Sequence, residues 1–282
     1  MSTILLTGAS SGIGRATALA LATAGHRVFA AARRTAALDA LRAEAVALEA
    51  PGTIEPVQLD LDQPASIAAA VARVGEVDVL INNAGFATAG ALVELGDAAL
   101  RAQFETNVFG LMTLTRAIAP QMIARGAGRI INVSSVSGRI PAPILGAYHA
   151  SKYALEALSD ALRMELAPFG VQVVVVEPGT IRTEFASRAM SEATRERSSG
   201  SLYAKVYERA ATLEAKFDRL AGTTAPVVRA IEKAITRKRP SARYIAPRKF
   251  ALMIALVRIL PTCWADAAMQ RMFGLTRKQL RA

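Results

Sequence analysis

The sequence predicts an α/β fold, a doubly wound parallel sheet, with an extra helical segment at the carboxyl end. The first observation is that short β-rich runs alternate with Ala- and Leu-rich segments through residues 1–184 of the 282-residue chain. This alternation is typical of parallel strands joined by helical crossovers. The second is that some runs, such as residues 171–176, are apolar almost throughout, as expected for strands that helices cover on both faces.

The individual elements are predicted in chain order from these runs. Strands are expected at 4–7, 27–31, 53–59, 77–82, 129–134 and 171–177, and helices at 15–24, 36–49, 65–74, 97–125 and 151–169. After residue 184 we expect a mobile polar loop at 187–201, helices at 202–220 and 225–237, a strand at 242–245 and terminal helices. The chain is therefore interpreted as a core of residues 1–184 and an extension of residues 185–282 within a single domain.

The composition excludes several classes of protein. Hydrophobic residues make up 52% of the chain, which excludes wholesale disorder. The single cysteine, Cys263, excludes an internal disulfide framework and is expected to be a small buried side chain. With only two histidines, no metal site is expected. No secretory leader or bilayer-spanning apolar run is visible in the sequence, so we expect a cytoplasmic location.

The net charge of +11 is concentrated in the extension. Residues 1–184 carry 14 basic and 16 acidic side chains, whereas residues 185–282 carry 20 basic and 7 acidic ones. Several of these cations lie at 237–249, next to the apolar run 250–260. Three interpretations stay open: a tail packed on the core or on a neighbouring subunit, peripheral contact with an anionic membrane, and an acidic ligand. No nucleic-acid-binding motif accompanies the charge, so no nucleic acid partner is expected.

A glycine-rich turn follows the first predicted strand and opens a helix. Its glycines let the backbone bend sharply, and the unpaired N–H groups at the amino end of a helix favour a diphosphate. This arrangement predicts dinucleotide binding, as in Rossmann-type sheets. The residues of the turn expected to contact the cofactor are Gly8, Ser10, Ser11, Gly12, Ile13 and Gly14.

The end of the second strand indicates which dinucleotide is bound. An Asp or Glu at this position accepts hydrogen bonds from the ribose hydroxyls of NAD. Here the strand ends in Arg33 and Arg34, and no acidic residue follows until Asp39. Two guanidinium groups suit the additional 2′-phosphate of NADP, so NADP(H) is the expected cofactor.

Tyr148 and Lys152 form a candidate proton-transfer pair. Residues four apart on a helix share a face, so both side chains can reach one site. A phenol with a pKa near 10 is a poor base at neutral pH, but a nearby ammonium, together with an oxidised nicotinamide, favours the phenolate. We therefore expect the pKa of Tyr148 to be lowered, so that it exchanges a proton with a carbonyl or alcohol oxygen.

The ordered set of motifs resembles the short-chain dehydrogenase/reductase family over about residues 3–184. The set comprises the glycine turn, Asn82-Asn83-Ala84-Gly85, Asn107, Ser135, Tyr148-x3-Lys152 and Pro178-Gly179-Thr180-Ile181-Arg182-Thr183. The resemblance implies that Ser135 binds the substrate oxygen and that Asn107 holds a water linked to Lys152. The catalytic residues it implies are Asn107, Ser135, Tyr148 and Lys152. Its further cofactor contacts are Asp60, Leu61, Asn83, Ala84, Gly85, Tyr148, Lys152, Pro178, Gly179, Ile181 and Thr183.

The resemblance also implies a function. It predicts hydride transfer between NADP(H) and a carbonyl or secondary alcohol. Because cells hold an excess of NADPH, reduction of a ketone or aldehyde is the expected direction. The long extension is similar to that of steroid- and retinol-converting members, so a bulky apolar or lipid-like substrate is expected. A homo-oligomer is expected because members of the family often assemble through the helices at 97–125 and 151–169, although a long extension can block such contacts. A catalytically idle NADP-sensing protein and a 3-oxoacyl-type reductase remain alternatives. An apolar pocket is expected to be lined by Phe86, Ile140, Pro143, Ile144 and Leu145.

Overall fold

The structure is a computed structural model that describes residues 1–182 and 201–281. Within these residues one parallel sheet contains β1 (Thr3–Thr7), β2 (Arg27–Ala32), β3 (Thr53–Gln58), β4 (Val79–Asn82), β5 (Gly128–Val133), β6 (Val171–Pro178) and β7 (Arg243–Ala246). The strand order is β3-β2-β1-β4-β5-β6-β7, which confirms the predicted doubly wound sheet. The order reverses between β1 and β4, and such a switch point leaves a crevice at the carboxyl ends of the strands.

Helices cover both faces of this sheet and form the extension. In the core they are α1 (Gly12–Thr23), α2 (Ala36–Ala47), α3 (Pro64–Val74), α4 (Asp97–Phe104), α5 (Leu111–Arg125) and α6 (Gly146–Leu166). In the extension they are α7 (Ala204–Leu220), α8 (Ala225–Thr236), α9 (Lys249–Ile259), α10 (Thr262–Phe273) and α11 (Arg277–Arg281). Of the described helices, not one combines the length and the apolar character needed to cross a bilayer.

Two apolar cores lie on opposite faces of the sheet. Neighbouring residues of one strand alternate between them, so Leu6 faces α1, α2 and α8, and Leu5 faces α3 and α5. Both leucines are fully buried, as is most of each strand. The strands are therefore rigid supports for the loops that leave their carboxyl ends.

A third apolar core fastens the extension onto the loops above the sheet. Val206 and Tyr207 of α7, together with Phe273 of α10, pack against Ala91 and Ile144. The Tyr207 hydroxyl accepts a hydrogen bond from the backbone N–H of Ala91 at 2.9 Å. The extension thus lies beside the residues that follow β4 and the loop that precedes α6.

Three expectations about local structure were wrong. The helix predicted at 97–125 is interrupted by a π-helical turn at Glu105–Gly110. The helix predicted to begin at residue 151 begins at Gly146, so Tyr148 lies in its first turn. Cys263 is exposed, because it lies on a helix that packs on the protein along one side only. The predicted mobile loop at 187–201 lies outside the described residues except for Ser201.

Candidate active site

The glycine turn between β1 and α1 is held against the loop that follows β4. Gly8 has φ +69° and Gly12 has φ +54°, the left-handed region that glycine adopts without strain. A Cβ at Gly8 would lie 2.7 Å from the Cα of Ala84, and one at Gly14 would collide with the carbonyl oxygen of Gly8. The turn therefore needs glycine for both its conformation and its packing.

The amino end of α1 suits an anionic group. Ser11, the residue before the helix, makes no side-chain hydrogen bond to the first backbone N–H groups, and the first turn contains no acidic residue. These N–H groups and the positive end of the helix dipole remain oriented towards the crevice. The residues present therefore fit a dinucleotide diphosphate, with Ser10, Ser11 and Ile13 at the same turn.

Asn83 is expected to lie near the cofactor ribose, and its side chain also has a clear structural role. The Asn83 amide donates to the carbonyl oxygens of Thr7 at 3.0 Å and Gly8 at 3.2 Å. The Thr7 hydroxyl accepts from the backbone N–H groups of Asn83 and Ala84. These bonds join the carboxyl ends of β1 and β4 across the switch point.

Arg33 and Arg34 lie directly after β2 and are both exposed. Ala9 of the glycine turn donates its backbone N–H to the carbonyl oxygen of Ala31, so the end of β2 lies next to the turn. Among residues 1–182 and 201–281, neither arginine forms an ion pair with a carboxylate. Both guanidinium groups are therefore available to a ligand that extends from the turn.

Tyr148, Ser135 and Lys152 come together where β5 ends and α6 begins. Tyr148 forms a side-chain hydrogen bond with Ser135. The Ser135 hydroxyl also accepts from the backbone N–H of Ser137 at 3.1 Å. The Lys152 ammonium lies 6.0 Å from the centre of the Tyr148 ring and donates to the carbonyl oxygen of Val133 at 2.9 Å. All three side chains are more than nine-tenths buried.

Burial controls the proton affinity of this pair. It raises the pKa of Tyr148 to about 12, against the smaller lowering effect of the hydrogen bond to Ser135. It lowers the pKa of Lys152 to about 8, against the raising effect of the nearby Glu156 carboxylate. Burial therefore raises the pKa of Tyr148 in the protein without cofactor, whereas the expected lowering concerns the complex with an oxidised nicotinamide and stays a prediction.

Asn107 lies in the π-helical turn between α4 and α5 and is fully buried. Its side-chain amide accepts from the backbone N–H of Phe86 at 3.1 Å and donates to the Phe86 carbonyl at 3.0 Å and the Ser151 hydroxyl at 3.1 Å. A Cβ at Gly85 would lie 3.0 Å from the Asn107 amide oxygen and 3.8 Å from the Lys152 ammonium nitrogen. Asn107, Gly85 and Lys152 are therefore immediate neighbours.

The segment after β6 is fixed by the extension. Gly179 donates its backbone N–H to Ala246 of β7, and a Cβ at Gly179 would collide with the Phe250 ring. Ile181 forms a bridge with Gly222. Pro178, the last residue of β6, accepts a 3.5 Å hydrogen bond from Ser135, so this segment adjoins the tyrosine site. Thr183 lies outside the described residues.

The other expected contacts lie at the edges of the crevice. Asp60 and Leu61 follow β3, and the Asp60 N–H is bonded to the Ser66 hydroxyl at 2.9 Å. Of the expected pocket residues, Ile140 and Ile144 are buried, while Phe86, Pro143 and Leu145 are partly exposed. Ile144 packs in the third core against Val206, so it is part of the extension's attachment.

Sequence reasoning missed two polar arrangements beside the site. The His149 ring nitrogen Nδ1 lies 2.6 Å from the carbonyl oxygen of Ile140, and burial lowers the pKa of this histidine. Buried Glu177, at the end of β6, pairs with Arg139 at 2.9 Å and with Arg243 at 3.2 Å. A buried glutamate in an apolar strand run was the available signal, because such a charge needs a partner.

The described ranges contain no cluster of three His, Cys, Asp or Glu side chains suited to a metal ion.

Comparison with protein families and relatives gives a consistent result. The family model described as short chain dehydrogenase matches residues 2–194. The chain is 40% identical to dehydrogenase/reductase SDR family member 7B of Bos taurus over 196 residues, which is 67% of this chain and 60% of that protein. It is 35% identical to 3-ketodihydrosphingosine reductase of Bacteroides thetaiotaomicron (85% of this chain, 86% of that protein). It is 33% identical to 17-beta-hydroxysteroid dehydrogenase type 1 of Homo sapiens (90% and 80%).

Solved structures extend this similarity to the fold. A short-chain dehydrogenase from Sphingobium yanoikuyae in complex with NADPH has a TM-score of 0.72 and 31% identity, with 93% of this chain and 97% of that chain covered. A short chain dehydrogenase/reductase from Burkholderia phymatum in complex with NAD has a TM-score of 0.78 and 25% identity, with 91% and 92% covered. Similar structures thus hold a nicotinamide dinucleotide of either kind.

Proposed function

The chain belongs to the short-chain dehydrogenase/reductase family of oxidoreductases, and from this membership we propose that it is an NADP(H)-dependent reductase of bulky apolar ketones or aldehydes. The observation that carries the proposal is the buried group formed by Ser135, Tyr148 and Lys152 beside the switch-point crevice. The preference for NADP(H) rests on Arg33 and Arg34, which have no carboxylate partner in the described ranges.

Each residue of the buried group has a role in proton transfer. NADP(H), when bound, supplies or accepts the hydride at its nicotinamide ring. Ser135 positions the substrate oxygen, and Tyr148 donates a proton to that oxygen in reduction. The high pKa of Tyr148 keeps this proton on the phenol until the substrate oxygen gains negative charge. Lys152 stabilises the phenolate that remains and binds the ribose hydroxyls.

The remaining expected residues bind and orient the cofactor. Gly8, Ser10, Ser11, Gly12, Ile13 and Gly14 surround the diphosphate, and Asp60 and Leu61 contact the adenine. Asn83 would contact the ribose region and Ile181 and Thr183 the carboxamide, and the remaining expected cofactor contacts are Ala84, Gly85, Pro178 and Gly179. Asn107 anchors the neighbouring backbone at Phe86 and holds a water that leads from Lys152 towards solvent.

A lipid-like substrate is supported by the relatives and by the extension. Two of the relatives named above are a 3-ketodihydrosphingosine reductase and a 17-beta-hydroxysteroid dehydrogenase, and both names specify a bulky apolar substrate. The third core places an apolar layer beside the loop before α6, where a substrate approaches Tyr148. A 3-oxoacyl-type reductase and an idle NADP sensor are the alternatives that the experiment below separates.

We further propose that the protein is a homo-oligomer of the cytoplasm that makes peripheral membrane contact. Large apolar side chains are exposed on the core helices α5 and α6 and the turns beside them, as expected of a subunit interface; they include Phe109, Tyr153, Met164 and Phe169. The basic extension supports contact with an anionic membrane.

The test is NADPH oxidation across steroids, retinals, 3-oxo lipids, 3-oxoacyl thioesters and small aldehydes, with NADH in parallel. We expect turnover of bulky ketones with NADPH and a loss of about 100-fold or more in Tyr148→Phe. Tyr153→Phe, which removes an exposed hydroxyl one helical turn away, is the control and should change kcat by less than about twofold. Binding of NADPH without turnover of any carbonyl would instead support the idle sensor.

A further inference from the structure

Helix α9 is apolar around its whole circumference but is covered on one side only. Apart from Lys249 and Arg258, its residues Lys249–Ile259 are all apolar. A helix of this kind is normally buried on all sides, in a core or in a membrane. Ile254 is buried, and Phe250 packs on Gly179, so this side of the helix faces the protein.

The opposite side of α9 presents a continuous apolar surface. Leu252, Leu256 and Ile259 share one face, because they are separated by four and three residues. Leu252 is 67% exposed and Ile259 is 78% exposed, which is unusual for aliphatic side chains of this size. Leu260 and Trp264 continue the exposed surface onto α10, where Trp264 is 66% exposed. We call Leu252, Leu256, Ile259, Leu260 and Trp264 the α9–α10 face.

Cations surround this face with little opposing charge. Residues 248–278 contain six basic side chains and one acidic one, Asp266. The basic ones lie at both ends of α9, near the end of α10 and at the start of α11, and all are exposed: Arg248, Lys249, Arg258, Arg271, Arg277 and Lys278. Aliphatic side chains with a basic rim and an exposed tryptophan match the interface of an anionic bilayer, in which tryptophan prefers the headgroup level.

We propose that the α9–α10 face docks on the surface of an anionic lipid bilayer. This inference builds on the membrane contact in the proposed function and names its surface, but it does not depend on the proposed chemistry. Phe250 of α9 contacts Gly179 directly, and Gly179 follows the strand whose last residue is bonded to Ser135. Docking therefore brings the bilayer beside the carboxyl end of β6, where an apolar substrate dissolved in lipid has a short path to the site.

Trp264 provides a direct readout, because it is the only tryptophan in the chain. Vesicles of phosphatidylcholine with phosphatidylserine are added to the full-length protein, and the emission of Trp264 and co-sedimentation with the vesicles are measured. We expect the emission to shift to shorter wavelength, and brominated phosphatidylcholine to quench it. Both effects should weaken with vesicles of phosphatidylcholine alone, because the cationic rim then lacks an anionic partner. They should also weaken in high salt, which screens the charge of the rim.

The variant Leu252→Ser/Leu256→Ser/Ile259→Ser removes apolar area from exposed positions, so its fold should be retained. We expect it to bind anionic vesicles about tenfold or more weakly than the wild type. The matched control is Val46→Ser/Leu48→Ser, which removes exposed apolar side chains at the end of α2 and should bind as the wild type does.

Three results would overturn the proposal. The first is a wild type that neither sediments with vesicles nor changes its Trp264 emission. The second is equal vesicle binding by the triple variant, which would place the contact elsewhere in the basic extension. The third is an oligomer that dissociates in the triple variant, because the face would then belong to a second copy of the chain. Reduction of a water-soluble ketone without vesicles tests the proposed chemistry separately from all three.

Discussion

At the scale of single residues, the environments of Tyr148 and Lys152 differ from what their spacing indicates. The spacing of four residues correctly placed the two side chains in one site. Burial then raises the pKa of one and lowers that of the other, to about 12 and about 8. Neighbours of the pair come from other elements: the Val133 carbonyl of β5 accepts a hydrogen bond from Lys152, and Asn107 donates one to Ser151 of α6. The sequence motif therefore predicts the identity of the groups but not their proton affinity.

The proposed preference for NADP(H) also rests on single residues. We predict that Arg33→Ser/Arg34→Ser raises the KM for NADPH about tenfold or more, because two cations would no longer contact the 2′-phosphate. The KM for NADH should change by less than about twofold, since NADH lacks that phosphate. Steady-state kinetics with both cofactors measures the effect.

The control for this prediction is Arg42→Ser, an exposed arginine of α2 that pairs with Asp39 at 3.3 Å. It should leave both KM values unchanged. Equal losses with NADPH and NADH in the double variant would contradict the assignment, because they would indicate a contact shared by the two cofactors.

At the scale of elements, the sequence predicted which segments are strands better than where helices begin and end. The apolar runs placed each core strand to within two residues at either end. The break between α4 and α5 was missed, and its last residue packs on a distant part of the chain: a Cβ at Gly110 would collide with the carbonyl oxygen of Leu61, which follows β3. The early start of α6 was missed because the loop before it is held through His149 and Ile140.

An ionic cluster joins three neighbouring elements on the side of β7. Arg243 of β7 donates to Glu156 of α6 at 3.0 Å and to Asp160 at 2.6 Å, and also pairs with Glu177 of β6. Glu156 and Glu177 are both buried. Arg243 therefore places one positive charge against two carboxylates that have left water, one of which also pairs with Arg139, and it holds β7, the first described strand of the extension, against the core.

We predict that Arg243→Met lowers the free energy of unfolding by about 3 kcal/mol, because it removes the cation that pairs with buried Glu156 and leaves buried Glu177 with Arg139 alone. Arg163→Met is the control: it removes a more exposed arginine that pairs with the same Asp160 at 2.8 Å. Arg163→Met should lower the free energy of unfolding by less than about 1 kcal/mol. Chemical denaturation of both variants measures the difference, and equal costs would contradict the role given to Arg243.

The loss of unfolding free energy caused by Arg243→Met should depend on pH. Burial already raises the pKa of Glu177, and loss of a cation raises it further. The folded variant then binds a proton that the unfolded chain has released, so its stability falls as pH rises above the ordinary carboxyl pKa of 4.5. The difference in unfolding free energy between the wild type and Arg243→Met should therefore be smaller near pH 5 than near pH 7.

At the scale of the whole molecule, the attachment of the extension could not be predicted from sequence. The alternation of strands and helices was enough to predict the sheet, because each crossover is local. The bond between Tyr207 and Ala91 instead joins residues 116 positions apart, and no periodic pattern signals such a pair. For the same reason the sequence predicted a basic extension without indicating which of its faces is exposed.

Assembly is a further property of the whole molecule. We predict that Phe109→Glu lowers the sedimentation coefficient, because it places a charge on a 55% exposed apolar side chain of the proposed subunit interface. Val46→Glu, at an exposed position of α2, should leave sedimentation unchanged. A wild type that sediments as a monomer at micromolar concentration would contradict the proposed homo-oligomer.

The third apolar core joins the segment proposed to meet the substrate to the core that carries the proposed proton-transfer residues. Tyr207 and Phe273 reach the core region through Ala91 and Ile144, whereas Ser135 follows β5 and Tyr148 and Lys152 lie on α6. We therefore expect a chimera that carries the last eighty residues of a relative, with Tyr207 and Phe273 kept, to change its substrate specificity. The same chimera should retain proton transfer, because its core is unchanged.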